Sequence, residues 1–390
     1  MRILLCNKFY YRRGGDCVYT MQLEQLLRSH GHEVAIFAMD HPDTVDTPWR
    51  KYFPKEVNFD TTTSRVRFVA RSLGLGETAS RFKALLSDFR PDVVHLGNIH
   101  SQLSPIIAKI AHRQGCKVVW TLHDYKLLCP RYDCLLRGEH PCELCFGDKK
   151  NVVRNRCMKG SLAGSLAAWL EAKRWSRSKL ESVTDSFICP SRFLLHKMDQ
   201  GGFSPAKLHY LCNYVETDGG EVLSDERRED YYCYVGRLSP EKGIQRLVRV
   251  AGQLPGKLVV VGDGPLREQL PVASNIVYTG RKDAESVLHI VSRARFLILP
   301  SEWYENNPLS VIEALCLGTP VLGADIGGIP ELIDEGRTGM LFKSGSSEDL
   351  ARKIEAMFAM DFKYEDIAEV SRRRFSKESY YASLMWIYSL

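Results

Sequence analysis

Two carboxylates, Glu305 and Glu313, stand with seven residues between them in Ser301-Glu302-Trp303-Tyr304-Glu305-Asn306-Asn307-Pro308-Leu309-Ser310-Val311-Ile312-Glu313. The apolar run Phe296 to Leu299 precedes them, so the segment reads as strand, loop, then helix. Pro308 suits the first turn of that helix, with Ser310 and Glu313 near its start. Unpaired amides and the positive end of the helix dipole form a seat for a phosphate or diphosphate. Glu305 in the loop and Glu313 about one turn in can accept hydrogen bonds from sugar hydroxyls on either side of it. That chemistry suits a nucleotide sugar. The plainer reading is a pair of solvated helix carboxylates. Paired carboxylates also serve glycoside hydrolysis, but these two would face one ligand rather than flank a glycosidic bond.

Other groups fall at the ends of predicted strands. Arg237 and Lys242 follow Tyr231–Val235 in Gly236-Arg237-Leu238-Ser239-Pro240-Glu241-Lys242-Gly243. Two cations there would neutralise a departing diphosphate, an effect worth about 3 kcal/mol per well-placed donor; a solvated surface turn is the alternative. Gly262-Asp263-Gly264 ends Lys257–Val261 and is expected to open a helix over Leu266–Leu270. Its glycines allow close backbone approach to a ligand, or simply a tight turn. His123 follows Lys117–Leu122, and Asn98 and His100 follow Val93–Leu96. Gly14-Gly15-Asp16 joins the first strand to the first helix, with Asp16 placed to cap it.

In that order these motifs resemble the family 4 retaining glycosyltransferases. The resemblance rests on Glu-x7-Glu, Gly327-Gly328-Ile329-Pro330-Glu331, the Arg237/Lys242 segment, Val261-Gly262-Asp263-Gly264-Pro265 and Thr121-Leu122-His123-Asp124. It extends to bacterial surface-polysaccharide enzymes with a Cys-rich loop on the acceptor side. It implies an α/β chain of GT-B type, two doubly wound Rossmann-like domains facing across a cleft. By that resemblance Arg237 and Lys242 hold the donor diphosphate, and the amides of Leu309 and Ser310 meet it. Glu313 binds the ribose hydroxyls, Glu305 a hydroxyl of the transferred sugar, and Arg281 lies where relatives contact the base. Gly14, Gly15, Gly262 and Gly264 approach the donor. His123 lies near the transferred sugar, with Asn98 and His100 as weaker acceptor contacts. The donor is a UDP- or GDP-sugar, and the acceptor a lipid-linked or polysaccharide glycan. A nucleotide-sugar epimerase of the same fold, or a non-catalytic nucleotide-sugar-binding protein, are the competing readings. No Asp-x-Asp occurs in the sequence, so no catalytic metal is expected.

The elements that must carry these groups alternate. Ile3–Cys6, Glu33–Ala38, Val93–Leu96, Lys117–Leu122 and Ser186–Cys189 read as buried parallel strands of a first domain, residues 1–212. Tyr231–Val235, Lys257–Val261, Asn275–Tyr278, Phe296–Leu299 and Pro320–Leu322 repeat the rhythm in a second, residues 213–376. The linker is expected at Asn213–Thr217 and the polar residues 218–230. A last helix, 377–390, is expected by the resemblance to cross back to the first domain. At 390 residues, 44% hydrophobic and 26% charged, the chain has the make-up of a globular protein.

Charge divides unevenly. Residues 1–212 carry 32 Lys/Arg against 20 Asp/Glu, the remainder 21 against 27. No aromatic-basic nucleic-acid motif accompanies the basic half, so an anionic membrane surface or a lipid diphosphate fits it better. Lys149–Lys179 holds nine Lys/Arg and one acid, Glu171, among Leu and Trp residues. Such a helix can lie on an anionic leaflet or pack ordinarily with a solvated face. No run of 18 apolar residues appears and Met1–Leu5 reads as a strand, which places the chain in the cytoplasm, peripheral at most on the inner face of the plasma membrane. Of twelve cysteines, five cluster. Cys134, Cys142, Cys145 and Cys157, with Cys129 as substitute for Cys134, read as a structural zinc set; free thiols are the other reading.

Overall fold

The computed structural model describes residues 1–57, 61–216 and 222–390, so Thr217 and residues 218–221 of the expected linker lie outside the described residues. The chain divides into two compact units. The first comprises Met1–Gly138, Cys142–Leu211 and Tyr381–Leu390; the second comprises Glu139–Pro141 and Cys212–Tyr380.

The first unit is built on a six-stranded sheet ordered Glu33–Phe37, Arg2–Cys6, Val93–Leu96, Lys117–Thr121, Ser186–Cys189, Leu208–Tyr210. Every neighbouring pair is parallel. The inner strands are buried on both faces, which is why they read as unbroken apolar runs. Strand order reverses between Arg2–Cys6 and Val93–Leu96, and ligands of such sheets bind outside the carboxyl ends at that switch point.

The second unit repeats the plan, ordered Ile276–Gly280, Lys257–Val261, Tyr231–Val235, Leu297–Leu299, Val321–Ala324, Gly339–Phe342, again parallel throughout. Its reversal falls between Tyr231–Val235 and Leu297–Leu299. The helix Ile244–Ala251 shows how such layers close: Ile244, Leu247, Val248 and Ala251 recur at helical spacing and are all buried. Each buried aliphatic of this kind contributes roughly 1.5–3 kcal/mol.

The last helix, Lys377–Ser389, is held by polar as well as aromatic contacts. Within the first unit, Tyr381 stacks on His30 at 3.7 Å between ring centroids. Buried His95 sits 2.5 Å from the Tyr388 hydroxyl through Nδ1 and 2.8 Å from Thr121 through Nε2. Thr121 in turn lies 3.2 Å from the Tyr19 hydroxyl. A buried imidazole with both nitrogens engaged is a satisfied core group.

In the second unit the loops at the sheet's carboxyl edge interlock through glycines. Gly262 has φ +134°, and a Cβ there would lie 1.9 Å from the Gly236 carbonyl oxygen. Gly264 leaves 2.5 Å to the Leu238 carbonyl, and the Leu238 amide donates to the Asp263 carbonyl at 3.0 Å. Gly262→Ala is therefore expected to cost more than 3 kcal/mol, combining clash with a left-handed backbone. Gly280→Ala, at φ +70° with open space around it, should cost only about 1–2 kcal/mol. Thermal unfolding reads the contrast, with each kcal/mol worth roughly 2–4 °C in a unit of this size.

Candidate functional site

The second unit's switch point carries charged groups held in direct contact. Lys242 leaves the loop after Tyr231–Val235, and Glu305 leaves the loop after the neighbouring strand Leu297–Leu299. Their side chains meet at 2.6 Å, Nζ to Oε1, and the Ser301 hydroxyl donates to the same oxygen at 2.6 Å. Glu305 is 5% exposed. Burial alone would raise its pKa, but the Lys242 ammonium and these hydrogen bonds outweigh it and hold the carboxyl below its usual range. The ammonium also lies over the Trp303 ring at 5.0 Å.

The backbone around the pair is equally fixed. Gly243 has φ +69°, and a Cβ there would lie 1.9 Å from the Pro300 carbonyl oxygen. Gly327 has φ +62° and would meet the Glu305 backbone at 2.4 Å, while the Gly328 amide donates to the Glu305 carbonyl at 2.7 Å. Gly327-Gly328 is thus the cradle of Glu305. Arg237 leaves the same loop as Lys242 and is exposed, with no ion pair among the described residues.

The helix Leu309–Cys316 begins beside this pair. Pro308 is its N-cap residue, one place earlier than the first-turn position expected, and no side chain caps the helix. The amides of Leu309 and Ser310 consequently have no intrahelical partner. Glu313, one turn in, makes no side-chain hydrogen bond or ion pair among the described residues, and burial pushes its pKa up to about 7. An unpaired carboxylate half-removed from water is costly to ionise unless a donor arrives.

Gly262 and Gly264 have a structural reason for their identity in the interlocked loops above. The helix expected over Leu266–Leu270 is only a 3-10 turn, Arg267–Gln269, so it offers no dipole of useful length. Proline and glycine around it favour a turn over a propagated helix. Arg281 is exposed just beyond Ile276–Gly280.

In the first unit, Gly14 is the N-cap of Gly15–Ser29 in extended backbone, and Asp16 lies inside the first turn, so it does not cap the helix as expected. A side chain at Gly14 would meet nothing closer than Asp16 at 3.4 Å, leaving room above the helix start. The loops at this switch point are laced together. The Gly97 amide donates to the Cys6 carbonyl at 2.8 Å, and the Asn98 amide to Asn7 Oδ1 at 2.8 Å. A Cβ at Gly97 would come within 3.5 Å of His123 Nε2, so His123 and Asn98 share that edge. His123 Nε2 and Asn98 Oδ1 are both buried without a partner. Burial pushes His123 down to about 4, leaving a neutral imidazole suited to hydrogen bonding rather than to carrying charge. Its ring packs edge-on to Tyr19 at 4.7 Å. His100 stacks on Trp120 at 5.3 Å, and burial holds it far below its ordinary pKa.

Of the expected zinc set Cys134, Cys142, Cys145 and Cys157, Cys134, Cys145 and Cys157 are buried and Cys142 is partly accessible. Among the described residues no group of three or more His, Cys, Asp or Glu is arranged to hold a metal ion, and the cysteines are free thiols. Cys134 and Cys145 turn their thiols to Cys129, whose pKa falls in consequence, while Cys145 and Cys157 pack with Val152 and Ala168. Spacing alone could not show that the apolar contacts draw Cys157 into a small core.

Two family models match this chain. One described as glycosyltransferase family 4 covers residues 13–218, more than half the sequence. The chain belongs to that family. A second model, glycosyl transferases group 1, covers residues 221–374. Among relatives, an uncharacterized 42.6 kDa protein in the cps region of Klebsiella pneumoniae is 26% identical over 85% of this chain and 87% of its own length. A GDP-mannose-dependent alpha-mannosyltransferase of Mycolicibacterium smegmatis is 28% identical over 81% of this chain and 77% of its own. In fold, the chain resembles Anabaena HepE, solved with UDP-glucose, at a TM-score of 0.68 and 16% identity over 100% and 99% of the two chains. This family 4 member is a glycosyltransferase of GT-B fold.

Its Glu313 provides a pH test. The folded carboxyl holds its proton up to about pH 7, whereas the unfolded one loses it near 4.3. Stability from the neutral form is therefore complete below the unfolded value and lost as pH rises through 7. Glu313→Gln keeps the neutral form at every pH. Its melting temperature should match wild type at pH 4.5 and exceed it at pH 8 in ligand-free protein; a constant difference across that range would contradict the assignment.

Proposed function

We propose that this glycosyltransferase moves a hexose-type sugar, with retention of anomeric configuration, from a UDP- or GDP-sugar to a lipid-linked or polysaccharide acceptor of cell-surface glycan synthesis. The observation that carries the donor half is the Lys242–Glu305 pair beside the uncapped start of Leu309–Cys316. The two cations of one loop and the free amides of Leu309 and Ser310 are suited to the two phosphates. Glu313, half-buried and unpaired among the described residues, suits the ribose hydroxyls, whose donated hydrogen bonds would offset its desolvation. Glu305 is locked in place by Lys242, Ser301 and the Gly327-Gly328 backbone and suits a hydroxyl of the transferred sugar.

In the reaction, the bond from the anomeric carbon to the phosphate oxygen breaks and one to the acceptor oxygen forms on the same face. The acceptor's proton passes to the departing diphosphate oxygen, so no protein base is required. Arg237 and Lys242 stabilise the charge that develops there. His123, neutral and with Nε2 unengaged, would hydrogen-bond the sugar and polarise it without competing for the proton. The cps-region relative supports a surface-glycan acceptor, and UDP-glucose in the HepE structure supports a nucleotide-sugar donor.

A membrane-proximal acceptor has support in the helix Leu162–Arg174. Leu162, Leu166 and Leu170 are 54%, 43% and 38% exposed at four-residue spacing, an apolar stripe along one helix face with basic residues around it. No helix among the described residues is long and apolar enough to cross a membrane, and a peripheral position on the inner leaflet fits this stripe.

Arg237→Ala and Lys242→Ala should each lower donor turnover by about 100-fold or more, read as nucleoside-diphosphate release. The pair also separates chemistry from folding. Lys242→Ala strands the buried Glu305 carboxylate at a cost of roughly 3–5 kcal/mol and should lower the melting temperature, whereas exposed Arg237→Ala should not. Full turnover in Arg237→Ala would refute its role. A panel of UDP- and GDP-sugars screened by thermal shift identifies the donor, and NMR of the product's anomeric proton checks retention.

A further inference from the structure

The first unit contains a cavity of about 290 Å³ that none of the groups above explains. Its size lies at the small end of the roughly 300–1,000 Å³ usual for ligand sites. It is lined by His100 and Lys126, in the loops after the central strands Val93–Leu96 and Lys117–Thr121. Trp169, Glu171 and Lys173 of the helix Leu162–Arg174 also line it, with Arg177 just beyond. His100 lies two residues from Asn98, and Lys126 three residues from His123, so the cavity adjoins the edge where His123 and Asn98 present unengaged polar atoms.

Its charge is decided by which groups are already satisfied. Glu171 is 6% exposed and is neutralised by Lys126 at 2.9 Å, with Ser101 donating a hydrogen bond at 3.1 Å. The other lining carboxylate, Asp148, is held by Arg154 at 3.1 Å. Lys173 and Arg177 are exposed and much less engaged. Lys173 lies over the Trp169 ring at 5.2 Å, and the Glu181 carboxylate paired with Arg177 is 4.0 Å away. The lining thus combines the Trp169 indole, the cations Lys173 and Arg177 and the neutral imidazole of His100. An indole face suits the C–H surface of a pyranose, and paired Lys and Arg suit a phosphate.

We infer that this cavity is the acceptor subsite and that it recognises a phosphate-bearing sugar through Trp169, Lys173 and Arg177. The inference rests on the glycosyltransferase reading above and narrows its acceptor to one chemical class. The same chemistry occurs in a free sugar phosphate and in the headgroup of a glycosyl phosphate lipid. The exposed leucines of the same helix would lie at a membrane surface in the second case.

The test is calorimetry on the full chain with saturating UDP present, so that the nucleotide site cannot report. The probes are glucose 1-phosphate, glucose, inorganic phosphate and dodecyl glucosyl phosphate in neutral micelles. Glucose 1-phosphate should bind about tenfold or more tightly than either glucose or phosphate alone, since both halves of the site are engaged. Lys173→Gln/Arg177→Gln, at two exposed positions, should weaken it about tenfold and leave UDP affinity and melting temperature unchanged. Binding of the dodecyl compound as well identifies a lipid headgroup; binding of the soluble probe alone identifies a free sugar phosphate; either supports the inference. No preference for glucose 1-phosphate, or equal affinity in the double variant, overturns it while the donor reading stands. Failure of UDP to bind at all would instead overturn the donor reading.

Discussion

A lysine and a glutamate held 2.6 Å apart in the second unit bind two loops of neighbouring strands into one surface. Neither partner can change alone. Without Lys242 a carboxylate 5% exposed loses its compensation, and without Glu305 the ammonium loses the anchor that aims it. A buried ion pair is a poor source of net stability because desolvation consumes most of the attraction. Its value here is positional. A long, flexible lysine and an acid are reduced to one arrangement, and the order in which the strands reverse puts that arrangement where a ligand can reach it.

The surrounding glycines serve the same end. Gly262, Gly264, Gly243 and Gly327 lie where backbone from another loop passes within van der Waals contact. Side chains at those places would push the loops apart and displace the charged groups riding on them. The first unit solves the problem differently. Its switch point is laced by Asn7 and backbone amides, and the strand behind it is tied to the last helix through His95 and Tyr388. One edge is held by close packing, the other by a polar network, and the second leaves buried polar atoms without a partner.

Much of this was legible in the chain. Strands buried on both faces announce themselves as apolar runs, and ten of them fall within one or two residues of their observed limits. The two strands missed in the six-stranded sheets, Leu208–Tyr210 and Gly339–Phe342, are sheet edges; the first is short with a histidine at its centre, and the second opens on a glycine at φ +159°. Glu305, Lys242 and Glu313 could be picked out because their residue types and spacing are chemically unusual. Asp16 as a cap and a helix after Gly264 were misread because helix ends depend on backbone angles that neighbours impose. His100 and the basic segment Lys149–Lys179 were legible singly, but nothing in the sequence brings them to one cavity. It forms from segments some seventy residues apart, and its charge depends on which acids are already paired.

The cysteines have a use that their chemistry in the cell does not suggest. Cys6 and Cys189 lie in the first sheet, Cys233 in the second, and Cys316 on the helix that carries Glu313, all of them buried, whereas Cys116, Cys142 and Cys212 are partly accessible. Alkylating reagents therefore meet a built-in set of reporters distributed over both sheets. The rate at which each buried sulfur becomes modified would measure how often its own part of the molecule opens, giving a map of local breathing without a single introduced label.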